Sequence, residues 1–135
     1  MQAAFAITIR IYYEDTDAVG IVYYANYLKF MERARTEWLR SLGFNQDELA
    51  RDGVIFAVRS ARIEFLKPAR FNDVIEVNVR IADRGGASMT FIQTIRCGGV
   101  TLCEAETRVA SLDATTLAPR PLPAALASRL NEVSA

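Results

Sequence analysis

Three acids fall within four residues in the run Tyr13-Glu14-Asp15-Thr16-Asp17-Ala18-Val19-Gly20-Ile21-Val22-Tyr23-Tyr24-Ala25-Asn26-Tyr27. Asp and Asn in such a stretch commonly serve turns and helix caps, accepting hydrogen bonds from local backbone amides. That reading suits Glu14 and Asp15. Asp17 differs because the apolar run Ile21-Val22-Tyr23-Tyr24 follows it at once. A carboxylate drawn against apolar surface near a helix N-terminus is partly desolvated, and the helix start offers unpaired N–H donors. Carboxylate and donors together suit attack on a carbonyl: the acid acts as nucleophile or as base for water, and the amides hold the oxyanion. From the residues alone, Asp17 is either a further turn carboxylate or the reactive group.

The rest of the chain narrows the chemistry. It contains no histidine, which removes Ser-His-Asp and Cys-His catalysis and imidazole metal sites. Cys97 and Cys103 have no partner ligands and read as reduced strand residues. They are poor nucleophiles, since no cation is apparent to lower a thiol pKa. No metal site is expected.

The elements that must hold Asp17 follow from hydrophobic periodicity. Residues 5–12, FAITIRIY, form a strand pattern. After the acidic turn, apolar positions 27, 31, 34, 38 and 42 step along one face of a helix starting near Asn26. Residues 28, 30 and 39 widen that stripe, so the helix is expected to be buried on more than one side. Arg33 and Glu37 are spaced to pair along its outer face, Gly43 is a natural stop, and Trp38 reads as core. Strands are expected over 54–67, 74–81, 87–97 and 100–112. Gly98-Gly99 forms a two-residue hairpin and Arg84-Gly85-Gly86 a looser turn. The tail after Pro119 carries a short amphipathic helix at best. The expected architecture is α+β: an antiparallel five-stranded sheet covered by one long helix, with residues 1–135 as a single domain. Such a sheet leaves edges and apolar surface that edge-to-edge dimerisation would cover.

Bulk properties agree with a globular domain. Lys plus Arg and Asp plus Glu number 16 each, so no global field draws the chain to nucleic acid. No apolar run approaches the roughly 18 residues of a spanning helix. The N-terminus, MQAAFAITIRIYYED, lacks the basic start of a signal peptide. A cytoplasmic location is the expectation.

The stretch from Asp15 to Tyr27 resembles the signature of the 4-hydroxybenzoyl-CoA thioesterase family, most closely its Tol-Pal-associated acyl-CoA thioesterase branch. The likeness continues through Glu32-Arg33-Ala34-Arg35-Thr36-Glu37, Val58-Arg59, Glu64-Phe65-Leu66-Lys67-Pro68-Ala69-Arg70, Asp73 and Arg84-Gly85-Gly86-Ala87-Ser88. The resemblance implies a hotdog fold, with the sheet wrapped around a central helix, in a homodimer or homotetramer. It implies hydrolysis of acyl-CoA thioesters at subunit interfaces without a cofactor, coenzyme A being part of the substrate. Asp17 matches the family's catalytic acid. Tyr24 matches the position whose backbone amide holds the oxyanion, which moves the helix start a turn earlier than capping alone. Many Tol-Pal-associated members carry His there, whereas the 4-hydroxybenzoyl type carries Tyr.

Under this resemblance Gly20 and Val22 line the substrate. Arg59, Arg62, Lys67, Arg70 and Arg84 are candidates for the CoA phosphates. Lys67 and Arg70 lead because they flank Pro68, at a strand end where a ligand can approach. Ser60 and Thr90 are candidate acyl-pocket residues. The substrate is expected to be a short-chain or aromatic, hydroxybenzoyl-type acyl-CoA. The alternative is a hotdog protein that binds CoA or a partner without turnover.

Overall fold

The computed structural model describes residues 5–134; Met1–Ala4 of the N-terminal segment and Ala135 lie outside the described residues. In chain order the elements are β1 (Ala6–Arg10), α1 (Asn26–Ser41), α2 (Gln46–Arg51), β2 (Val54–Phe65), β3 (Val74–Asn78), β4 (Arg80–Arg84), β5 (Ser88–Cys97), β6 (Val100–Asp113) and α3 (Ala124–Ser134). The sheet runs β1-β3-β5-β6-β2, with β4 also paired to β5, and every pairing is antiparallel.

The sheet has six strands rather than five, and the reason is local. The single strand expected over 74–81 is interrupted at Val79. Its two halves keep one register on β5, with Val77 opposite Ile95 and Arg80 opposite Ile92. At the break the Asn78 side chain replaces the backbone ladder: the Thr94 N–H donates to Asn78 Oδ1 at 2.7 Å, and Asn78 Nδ2 donates to the Thr94 hydroxyl. The Val79 N–H turns instead to the Phe5 carbonyl at 3.1 Å. An amide side chain that mimics the backbone competes directly with sheet pairing.

The β5–β6 hairpin closes on Gly98 and Gly99, with φ of 55° and 82°. Both residues sit in the left-handed region that a tight two-residue hairpin requires.

On α1, Tyr27, Met31, Ala34 and Trp38 are buried along the expected stripe, and Phe30 and Leu39 widen it. Leu28, expected to widen it too, is exposed. Glu37 pairs with Arg40 rather than Arg33, whose guanidinium lies 5.9 Å from the centre of the Phe30 ring. Exposed pairs of this kind are worth little, so neighbouring partners exchange easily. The helix ends in a Schellman motif: Phe44 N–H reaches the Leu39 carbonyl and Gly43 N–H the Arg40 carbonyl, both at 3.0 Å.

Trp38 packs edge-on against Phe91 of β5 at 5.4 Å, which anchors α1 on the sheet. Phe30, Met31, Ile75, Ile81, Met89, Phe91 and Ile95 are all fully buried in the core. Burying each such side chain stabilises the fold by about 1.5–3 kcal/mol.

One long helix was expected, but α2 and α3 join it. The tail forms an 11-residue helix, and Leu126 and Leu130 are fully buried. Arg84 Nε donates to Asn131 Oδ1 at 2.9 Å, tying α3 to β4. The segment before α3 is latched by Arg120, whose Nη1 donates to the Gly53 carbonyl at 2.7 Å and lies 3.4 Å from Asp113.

The long strand β2 pairs with β6 on one side and ends the sheet on the other. Arg59 is the extra residue of a bulge between Val58 and Ser60. Val58 and Phe65 of this edge strand are exposed.

Candidate active site

The acidic segment folds as two nested turns. Tyr13–Asp15 makes a single 3-10 turn in which Asp15 Oδ2 accepts the Tyr12 N–H at 2.9 Å. The Asp15 carbonyl accepts the Tyr23 N–H at 3.1 Å and the Asn26 side chain at 2.9 Å. Asp15 is therefore the structural acid, tying the loop to the head of α1.

Asp17 opens a tight turn. Its N–H donates to the Ile21 carbonyl at 2.9 Å, its carbonyl accepts the Gly20 N–H at 3.1 Å, and its Oδ1 accepts the Val19 N–H at 2.9 Å. Gly20 closes the turn at φ 81°, a conformation that costs a residue with a Cβ. Thr16 and Val22 bridge across the two arms. One oxygen of the carboxylate is thus oriented by backbone, and the residue is exposed in the protomer. The desolvation expected of Asp17 is not produced within one chain: of the apolar run that follows it only Val22 is buried, Tyr23 and Tyr24 are exposed, and the acid stays at the tip.

The head of α1 supplies donors. The N–H groups of Asn26, Tyr27 and Leu28 are taken by the carbonyls of Tyr23, Tyr24 and Ala25 at 2.9, 3.3 and 3.2 Å. The helical backbone begins at Ala25 (φ −68°, ψ −21°), behind a turn at Tyr24. Orphan donors at a helix start are expected. These three bonds displace them backwards, and the Tyr24 and Ala25 N–H groups meet no acceptor among the described residues. The helix proper starts at Asn26, as capping suggests, and its unspent donors lie a turn earlier.

Beside them is an open pocket of about 240 Å³, lined by Val22, Tyr24, Tyr27, Phe65, Lys67 and Pro68 among others. Its walls are mainly aromatic and aliphatic, with the Lys67 ammonium group available for an anion. Tyr24 and Phe65 meet edge-on at 6.1 Å. Arg70 joins from the side: its backbone bridges to Ile21, and its N–H is held by Asp73 Oδ2 at 2.9 Å. Gly20, Val22, Tyr24, Lys67 and Arg70 are thus brought to one region, whereas Asp17 stands on the adjoining turn and does not line the pocket.

Arg59 is elsewhere. It lies six residues before Phe65 on β2, roughly 20 Å along the strand. Arg62 is engaged by Glu106 at 3.2 Å and Arg84 by Asn131. Ser60 sits with Arg62, Glu106 and Arg108 in a separate depression, and Thr90 lies within β5; neither lines the Tyr24 pocket.

Residues of the pocket not singled out from sequence include Phe65 and Leu66, and Tyr27 as more than core. Tyr27 is buried, yet its phenol oxygen accepts the Ala69 N–H at 2.9 Å. Burial pushes this phenol above its ordinary pKa, more than the Ala69 hydrogen bond lowers it. The signal was available: a tyrosine rather than phenylalanine in a buried stripe needs a partner for its hydroxyl.

The thiols match the sequence reading. Both cysteines are free. Burial, with a smaller contribution from Glu104, pushes Cys103 up to about 12. Among the described residues no group of three acids or cysteines could hold a metal ion.

The model of the thioesterase-like superfamily matches residues 12–130. The chain belongs to that superfamily. An acyl-CoA thioester hydrolase of Escherichia coli, YbgC, is 40% identical over 95% of this chain and 96% of its own length. The Haemophilus influenzae acyl-CoA thioesterase YbgC is 38% identical over 88% of each chain. A crystal structure of a probable thioesterase from Bartonella henselae superposes with a TM-score of 0.85 at 36% identity, covering 90% of this chain and all of that one. The α+β hotdog architecture, with its antiparallel sheet and C-terminal helix, is the thioesterase-like fold.

Proposed function

We propose that the protein is an acyl-CoA thioesterase that hydrolyses a short-chain or aromatic, hydroxybenzoyl-type acyl-CoA to the free acid and CoA. The observation that carries this reading is the unspent Tyr24 N–H at the head of α1, beside an apolar pocket with Lys67 on it. Kinship with hydrolases named for acyl-CoA thioesters supports it. The thioester carbonyl sits with its oxygen on the Tyr24 amide, where charge develops as the tetrahedral centre forms. Asp17 either attacks that carbon, giving an anhydride that water then cleaves, or takes a proton from the attacking water. In both routes the CoA thiolate leaves and is protonated by solvent. With no histidine in the chain, no imidazole shares the proton transfer, and no cofactor enters. Lys67 and Arg70 hold CoA phosphates.

A homodimer, alone or as half of a tetramer, completes the site in this proposal. The free β2 edge pairs antiparallel with that of a second copy. Pairing centred near the Arg59 bulge brings residues 54–57 of one copy beside Phe65 of the other, and desolvation of Asp17 then comes from the second copy. Among the described residues no helix is long and apolar enough to cross a membrane, and we assign the enzyme to the cytoplasm.

The exposure of Asp17, outside the pocket lining, favours a second reading: a protein that binds CoA or a partner without turnover. Thiol release across acetyl, medium-chain, long-chain and hydroxybenzoyl CoA esters separates the two. Steady release with at least one ester supports hydrolysis. CoA-dependent thermal stabilisation with no thiol release from any ester supports binding alone.

A further inference from the structure

The peptide unit that carries the Tyr24 N–H also carries the Tyr23 carbonyl, and a trans peptide points the two in opposite directions. Whatever holds the Tyr23 carbonyl therefore aims the Tyr24 amide. That carbonyl accepts the Asn26 N–H at 2.9 Å. The peptide before it is held as well, since the Tyr23 N–H donates to the Asp15 carbonyl at 3.1 Å.

Asn26 reaches the same Asp15 carbonyl with its side chain. Its Nδ2 donates there at 2.9 Å, to a residue 11 positions earlier in the chain. Asn26 thus grips Tyr23 twice: directly through its own N–H, and through the Asp15 oxygen that Tyr23 also uses. An asparagine at a helix start commonly caps it by accepting backbone N–H bonds. This one does not: the cap position is Ala25, without a side-chain bond, and Asn26 donates away from the helix. The following peptide is held less closely, its Tyr24 carbonyl accepting the Tyr27 N–H at 3.3 Å.

We propose that Asn26 is a positioning residue: its side chain, bonded to the Asp15 carbonyl, fixes the Tyr23–Tyr24 peptide so that the Tyr24 N–H points at the developing oxyanion. Preorganised donors act through their aim, and small misplacements are costly in rate. The inference rests on the thioesterase reading and deepens it. A donor that matters only in the transition state changes kcat and leaves KM alone. Asn26→Asp is the sharpest variant, because it keeps the shape but sets an acceptor against the Asp15 carbonyl. Its negative charge at the head of α1 is stabilising, so its melting temperature stays near that of the wild type.

The test is steady-state thiol release from the best ester of the CoA panel by the wild type, Asn26→Asp, Asn26→Ala, Tyr24→Pro and the double variant Tyr24→Pro/Asn26→Ala. Each single Asn26 variant lowers kcat on the order of 10-fold or more, with KM within about twofold of wild type. In the Tyr24→Pro background the amide to be aimed is gone, so Asn26→Ala lowers kcat by less than about twofold further. A side chain that only held the loop together would cost as much in both backgrounds. Asn26→Asp carries the single-variant comparison if Asn26→Ala fails to fold. Wild-type kcat in Asn26→Asp, a change confined to KM, or a full further loss in the double variant overturns the proposal and leaves hydrolysis standing. No release by the wild type from any ester removes the thioesterase reading, and this inference with it.

Discussion

The phenol oxygen of Tyr27 holds the Ala69 N–H at 2.9 Å. The Ala69 carbonyl in turn accepts the Val22 N–H at 2.9 Å, so one residue joins the head of α1, the segment after Pro68 and the arm of the Asp17 turn. Ala69 thereby ties together Val22 and Tyr27, which line the pocket with Tyr24 and Lys67.

Replacing Tyr27 by Phe leaves the buried Ala69 N–H without a partner. A stranded donor costs about 1–3 kcal/mol, measurable by urea unfolding as a lower midpoint at unchanged slope. Stability within a few tenths of a kcal/mol of wild type would show that this peptide is not held by the phenol.

The Tyr24 N–H meets no acceptor among the described residues, so proline at that position removes a donor that their packing does not use. Proline is well accommodated at a helix start. Tyr24→Pro is expected to keep its melting temperature within a few degrees while turnover falls on the order of 10²-fold. Tyr24→Phe, which keeps the amide, retains turnover. Equal activity in the two variants would remove the amide from the oxyanion role.

The Cys103 thiol, pushed up to about 12, bears on alkaline stability. In the unfolded chain the thiol ionises near its ordinary value of about 8.5, and in the folded chain it keeps its proton up to about 12. Below the unfolded value both states hold the proton and the group contributes its full stability. As pH rises from there toward the folded value the unfolded state alone ionises, and stability is lost. Melting temperature is expected to fall more steeply above pH ~9 in the wild type than in Cys103→Ala; parallel curves would argue against it.

Much of this molecule was legible in the sequence. The α1 stripe could be read because Tyr27, Met31, Ala34 and Trp38 obey one period and meet one partner surface. Gly98-Gly99 could be read because only two positive-φ residues close so short a hairpin. The break at Val79 was hidden, since Ile75, Val77, Val79 and Ile81 alternate cleanly while the interruption comes from Asn78 reaching across to Thr94. The α3 helix was underrated because its partner, β4, is the half-strand that this break creates. At the site, Asp17 stood out by local pattern, Lys67 and Arg70 by their place beside Pro68, and Val22 and Tyr24 by family resemblance; Val22, Tyr24 and Lys67 line one pocket. The hydroxyl partner of Tyr27 was out of sight because it is Ala69, 42 residues away, and the position of Arg59 because it depends on where a bulge falls along β2.

The β2 edge gives a direct assay of assembly. Val58 is 54% exposed on it, and a charge there opposes edge-to-edge pairing. Val58→Lys is expected to halve the mass found by light scattering while circular dichroism stays native. A monomeric wild type, or an unaltered mass in the variant, contradicts assembly through β2.

The central claim is that the Asp17 carboxylate performs the chemistry, and Asp17→Asn tests it most directly, since it keeps the shape and the Val19 hydrogen bond but removes the charge. The measurement is steady-state thiol release from the best ester of the CoA panel, alongside CoA affinity and melting temperature. Turnover is expected to fall on the order of 10²-fold or more, with affinity and melting temperature close to wild type. Wild-type turnover in Asp17→Asn contradicts the account.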